Sequence, residues 1–170
     1  MKFTDLKVEQ YLEGLLPSRD EVLVEMEALA KKQNIPISGP VVAPILYQVV
    51  RLSKAKRIFE LGSAIGYSTI WAARAAGEGA IVYYTDADSD NARQAAQFIA
   101  RAGVRERVRI LTGDALELLD QTAGEFDIIF CDIDKDQYPA AFHKAVPRIR
   151  KGGLLLADNV LWSGRVTEQP

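Results

Sequence analysis

Cysteine and histidine are almost absent from this chain: Cys131 and His143 stand alone in 170 residues. A single thiol cannot close an internal disulfide, so the expected setting is the reducing cytoplasm. His143 falls in a helical stretch with no acid or nucleophile patterned beside it, and reads as structural. A basic surplus is missing too. Lys and Arg number 21 against 23 Asp and Glu, a net charge of −2, which leaves no footprint for nucleic acid or an anionic membrane surface. No apolar run approaches the ~20 residues that cross a bilayer. The opening "MKFTDLKVEQYLEGLL" also lacks the basic start and unbroken apolar stretch of a signal peptide. Internal repeats and low-complexity tracts are absent as well.

What is present is an ordinary globular balance, 48% hydrophobic and 26% charged,. The length fits one domain over residues 1–170, able to bury roughly 70% of its unfolded surface. Residues 1–55 read as a helical lead-in. In "SRDEVLVEMEALAKK" Ser18 and Glu21 form a capping box ahead of Val22, Leu23, Met26 and Leu29,. Ser38 is placed to cap a further helix through "VVAPILYQVVRL", where Pro44 is tolerable only in the first turn,.

From Lys56 the rhythm changes. The short apolar runs "RIFEL", "AIVYYT", "RVRIL", "FDIIFC" and "GGLLLA" alternate with helical patterns. Such alternation predicts an α/β fold, a Rossmann-like doubly wound parallel sheet of five strands with helices on both faces. Continuous apolarity fits strands buried on both sides. Ligands of such sheets sit beyond the carboxyl ends of the strands. Glu60–Gly66, Asp86–Asp88, Gly113–Ala115, Asp132–Asp136 and Asp158–Asn159 all fall at that edge.

"FELGSAIGYS" is a strand, a glycine turn and a helix start. Gly62 and Gly66 allow a sharp turn and close approach to a ligand, and the helix that follows offers free N–H groups beside Ser68. The spacing is not the G-x-G-x-x-G of dinucleotide sites. Glu60 would repel a pyrophosphate but accept from an ammonium group. Asp86 stands where a carboxylate holds ribose hydroxyls, and Ala115 where a side chain packs on adenine. Read together, these favour an adenosine ligand with an amino-acid end, such as S-adenosylmethionine.

"FCDIDKDQY" begins like a calcium-binding loop, but Gln137 and His143 stand where that loop needs glycine and glutamate,. A solvated turn and an active site both remain open for these aspartates. If the fourth and fifth strands are neighbours, Asp132, Asp158 and Asn159 converge as hard oxygen ligands suited to Mg²⁺, with Mn²⁺ or Ca²⁺ as substitutes. Lys135 reads either as a surface lysine or as a general base. Cys131, Trp71, Tyr83 and Tyr84 read as packing, and Trp162 either lines an acceptor pocket or does not. An NAD-dependent oxidoreductase and a non-catalytic binding module are the rival readings.

These residues together resemble the metal-dependent O-methyltransferases of the caffeoyl-CoA and catechol type, within the class I S-adenosylmethionine fold. The family's E-[LI]-G-x-x-x-G-Y-S appears as "ELGSAIGYS", its D-x-x-K-D-x-Y as "DIDKDQY" and its D-N before L-W as "DNVLW". The resemblance implies that Glu60, Gly62, Ser63, Ser68, Asp86, Ala115 and Asp134 hold S-adenosylmethionine. It implies that Asp132, Asp158 and Asn159 hold a divalent ion, with Lys135 as base. The expected acceptor is a small aromatic molecule with adjacent hydroxyls. Residues 56–160 would form the cofactor- and metal-binding core, and 161–170 the start of a substrate loop. Family members continue into two further strands that this sequence does not reach, and an open sheet edge is expected to favour a homodimer.

Overall fold

The computed structural model describes residues 5–167. Three helices lead in: α1 (Leu6–Gly14), α2 (Glu21–Gln33) and α3 (Gly39–Ser53). Asp20, not Ser18, caps α2, its carboxylate accepting from the Leu23 N–H at 3.1 Å. The same carboxylate takes Arg74 from a later helix at 2.5 Å, a long-range partner that no local pattern contains. Ser38 stands at the start of α3 but makes no capping bond. Pro44 is buried in the body of α3 rather than in its first turn, where the helix forgoes one backbone hydrogen bond.

Five strands follow: β1 (Arg57–Leu61), β2 (Ile81–Asp86), β3 (Val108–Thr112), β4 (Phe126–Cys131) and β5 (Ile149–Ala157). They pair in parallel in the order β3-β2-β1-β4-β5. Helices α4 (Tyr67–Ala76), α5 (Ser89–Arg101), α6 (Ala115–Gln121) and α7 (Tyr138–Ala145) complete the crossovers. The order reverses between β1 and β4, so the switch point lies there. Among the described residues no helix is long and apolar enough to cross a membrane.

Strand periodicity sorts the core into two clusters. Ile58, Val82, Tyr84, Val108, Ile128 and Phe130 pack with α3, α4 and α5 on one face. Phe59, Leu61, Ile129 and Cys131 pack with α6 and α7 on the other. Glu60 shares its face with Ile58, toward α4. That helix is buried along nearly its whole length, which explains why Arg74 is its one charged residue.

β5 starts earlier than "GGLLLA" suggests. Its pairing jumps from Phe126↔Ile149 to Ile128↔Leu154, a bulge that takes up Arg150 and Lys151. A Cβ on Gly153 would meet the Asp127 carbonyl oxygen at 2.8 Å and Ile149 at 2.6 Å. Only glycine fits at this crowding.

Beside the bulge, Asp127 joins three strands. Its carboxylate accepts from the Lys56 and Arg57 N–H groups, each at 2.7 Å, and from Arg150 Nε at 2.5 Å. Partial burial opposes its charge, but Arg150 and the two amides outweigh that and hold its pKa below the ordinary 3.8. Asp127→Ala is expected to lower stability by roughly 2 kcal/mol at neutral pH. A carboxyl with a depressed pKa contributes above its unfolded value and loses that contribution on acidification. The gap between variant and wild type, followed by urea unfolding, should therefore close below pH 3.8.

Candidate active site

The turn after β1 is held from several sides. The Ser63 N–H donates to the Thr85 carbonyl at 2.8 Å, and the Thr85 hydroxyl donates to the Glu60 carbonyl at 2.6 Å. Ala64 sits at φ 44°, a conformation that an L residue keeps only under constraint. The constraint is visible: its N–H donates to Asp86 Oδ2 at 2.9 Å, and its carbonyl accepts from the Tyr84 hydroxyl at 2.5 Å. Tyr84 thus packs as expected and also clamps the loop. Gly62, at φ 79°, passes so near β4 that a Cβ would lie 2.6 Å from the Asp132 carbonyl oxygen.

Glu60 lies beneath this turn and is 2% exposed. Its Oε2 accepts from Ser63 Oγ at 2.8 Å and from the Thr69 hydroxyl. Its Oε1 is buried with no partner among the described residues. Burial raises its pKa to about 7, partly offset by the hydroxyls of Ser68, Thr69 and Ser63. Ser38 Oγ is likewise buried and unpartnered.

The acidic half is built on the ends of β4 and β5. The Asp132 N–H donates to the Leu61 carbonyl at 2.9 Å, and the Asp158 N–H to the Cys131 carbonyl at 3.1 Å. Burial and the neighbouring Asp158 charge raise the Asp132 pKa to about 6. Asn159 takes a left-handed φ of 54°, its N–H closing onto Asp158 Oδ1 at 2.7 Å. Lys135 opens a short 3-10 turn (Lys135–Gln137). Its ammonium donates to Asp132 Oδ1 at 3.2 Å, the Ile133 carbonyl at 3.0 Å and the Tyr138 hydroxyl at 2.9 Å. Partial burial disfavours that charge, but Tyr138 and Asp132 outweigh it and push the Lys135 pKa up.

A cleft of about 520 Å³ joins the two halves, lined by Gly62, Asp86, Ala115, Asp132, Asp134, Lys135, Asn159 and Trp162 among others. Ser63 and Ser68 line a smaller adjoining cavity of about 100 Å³, walled on the other side by Pro36, Ile37 and Ser38. Glu60 lines neither and supports the loop from below. Asp158 is absent from the cleft wall and reaches the site through its charge on Asp132. Among the described residues no group of three His, Cys, Asp or Glu side chains is gathered as a metal site; the expected set has two carboxylates and one amide. Sequence reading gave Thr85 no role, took Ser38 for a helix cap and assigned nothing to Tyr138, although Tyr138 is the last letter of the quoted D-x-x-K-D-x-Y pattern.

The O-methyltransferase family model matches residues 19–170. A catechol O-methyltransferase of Niastella koreensis is 36% identical over 168 residues, covering 95% of this chain and 76% of that protein. Caffeoyl-CoA O-methyltransferase 1 of Eucalyptus globulus is 30% identical, covering 92% of this chain and 67% of that protein. The solved structure of the O-methyltransferase from Bacillus cereus in complex with SAH superposes with a TM-score of 0.88 at 34% identity, over 95% of this chain and 76% of that one. Sheet order and neighbours together define a Rossmann-like methyltransferase. The chain belongs to the O-methyltransferase family, enzymes that place a methyl group on oxygen.

The buried Glu60 gives a pH signature. Its folded pKa of about 7 exceeds its ordinary 4.5, so between those values the folded chain keeps a proton that the unfolded chain has lost. Stability without added ligand should fall as pH rises from 4.5 to 7, by roughly 3 kcal/mol from this group. In Glu60→Gln that component should vanish. Urea unfolding of both proteins across the range checks it, and parallel curves would contradict the assignment.

Proposed function

We propose that the cleft binds S-adenosylmethionine and directs its methyl group to one hydroxyl of a catechol-like acceptor. The observation that carries this is the cleft in which Gly62, Asp86 and Ala115 face Asp132, Lys135 and Asn159. Buried beneath the glycine turn, Glu60 keeps one oxygen without a partner among the described residues and would draw a ligand ammonium group toward that turn,. Ser63, Ser68 and the Ser38 hydroxyl, unpartnered among the described residues, suit the rest of an amino-acid end, Asp86 the ribose hydroxyls and Ala115 the adenine face, with Asp134 a further contact. Gly62 keeps the backbone low enough for the ligand to approach. The relatives' names support the acceptor class, and the SAH in the Bacillus cereus protein supports the donor.

Asp132, Asp158 and Asn159 are a donor set of hard oxygens that suits Mg²⁺. Burial, with the neighbouring Asp158 charge, already raises the Asp132 pKa. A divalent ion bound there supplies Lewis acidity that lowers the pKa of a chelated hydroxyl. Lys135 handles the proton. Its amine form takes it directly; while it stays the ammonium that Tyr138 and Asp132 favour, it steadies the oxyanion and water takes the proton. Trp162, exposed at the cleft mouth, offers a face for the acceptor ring. Because the donor arrives activated, most of the acceleration comes from holding the oxyanion in line with the methyl group.

Family membership removes the oxidoreductase alternative, and intact site residues favour catalysis over a binding module. The lone, buried Cys131 fits a cytoplasmic setting. Exposed Phe142, Val160 and Leu161 beside the β5 edge support a homodimer, and sedimentation equilibrium should give twice the chain mass. For the chemistry, calorimetry should show micromolar binding of S-adenosylhomocysteine and none of NAD. Asp158→Ala should leave that affinity within a few-fold and remove Mg²⁺-stimulated turnover of 3,4-dihydroxybenzoate. Unchanged turnover in that variant would sink the metal assignment.

A further inference from the structure

We infer that Tyr138 is the positioning residue of this site, its hydroxyl fixing the Lys135 amine relative to both strand ends that carry the acidic residues. The inference rests on the role proposed above for Lys135.

Tyr138 is the first residue of α7, directly after the Lys135–Gln137 turn. Its hydroxyl accepts from Lys135 Nζ at 2.9 Å and faces the Asp158 carbonyl at 2.7 Å and the Cys131 carbonyl at 3.1 Å. One hydroxyl has one proton to give. With two backbone carbonyls in reach, that proton points at the strand ends, and a lone pair is left for the lysine. The two carbonyls are informative. Cys131 closes β4 immediately before Asp132, and Asp158 follows β5. A single oxygen therefore spans the point where the two strands part and hands that reference to the amine. The other contacts of Lys135, Asp132 Oδ1 and the Ile133 carbonyl, lie on the β4 side alone. Tyr138 is how Lys135 is tied to β5.

The ring is held independently of the hydroxyl. It packs against the Phe59–Leu119–Cys131 cluster, and Lys135 Nζ lies 4.8 Å from its centroid. A free lysine gives up rotamer entropy when fixed. Doing so in the folded protein, before the acceptor arrives, is the preorganisation that a reacting centre needs.

Tyr138→Phe removes the oxygen and keeps the ring, so the fold and the cation–π contact survive. The test is a double-mutant cycle with Lys135→Met, reading turnover of 3,4-dihydroxybenzoate with S-adenosylmethionine and Mg²⁺. Tyr138→Phe is expected to lower kcat about ten-fold and leave KM for the methyl donor within about two-fold. On the Lys135→Met background the same change should alter kcat by less than about two-fold. Equal losses on both backgrounds would show that the hydroxyl serves the strand ends only, and overturn the inference while leaving Lys135 its role. Wild-type turnover in Lys135→Met would instead remove the lysine's role, and that of Tyr138 with it. A second measurement needs no acceptor: acetic anhydride labelling read by peptide mass spectrometry. Lys135 should label several-fold faster in Tyr138→Phe while the exposed Lys151 is unchanged. Unaltered Lys135 labelling would overturn the pinning.

Discussion

How closely the chain leaving β1 passes the chain leaving β4 governs the rest of this site. At Gly62 the gap is too small for any side chain: a Cβ would press on the Asp132 carbonyl oxygen at 2.6 Å. The Asp132 N–H to Leu61 carbonyl bond extends the β1–β4 ladder one step past the strands. The glycine turn and the acidic motif, separated by some seventy positions, thereby share one wall of a cleft. Parallel sheets place such a crevice where strand order reverses. Here glycine is what allows the crevice to be narrow enough for a donor and an acceptor to meet.

The electrostatics of the cleft follow from that closeness. Asp86, Asp114, Asp132 and Asp134 line it, against Lys135 as the cation in the same lining. Beneath it Glu60 is sheathed by hydroxyls rather than matched by a cation. A site arranged in this way is complementary to positive charge, and both proposed occupants, a sulfonium-bearing amino acid and a divalent ion, bring it. The Lys135 ammonium meanwhile keeps Asp132 from standing unpaired,. Tyr138 keeps that ammonium from wandering.

Much of this was legible in the residues. β1 and β4 have the bounds that "RIFEL" and "FDIIFC" suggest, because a central strand covered on both faces is apolar along most of its length. β5 was misjudged at its start, because an edge strand with a bulge tolerates Arg150 and Lys151. The cap of α2 was misplaced by two residues: Asp20 caps it and also pairs with Arg74 from a distant helix. Ser38 was read as a cap, whereas its side chain makes no capping bond and the residue lines the smaller cavity, and nothing in its neighbours records that. Tyr84 looked like packing because its hydroxyl's partner is the Ala64 carbonyl, twenty positions away.

Taken alone, the sequence settled the alternation of strands and helices, the edge at which the polar residues gather, and the likeness to O-methyltransferases. Periodicity and short motifs are local, and local spacing is enough to specify them. Only the tertiary structure decided that Glu60 keeps an oxygen unpartnered among the described residues, that Ala64 is forced into a left-handed turn, and that Lys135 is held by Tyr138 between two strands. Those features depend on which distant groups are within hydrogen-bond reach and which are sealed from water. Chain order does not contain that information; packing creates it.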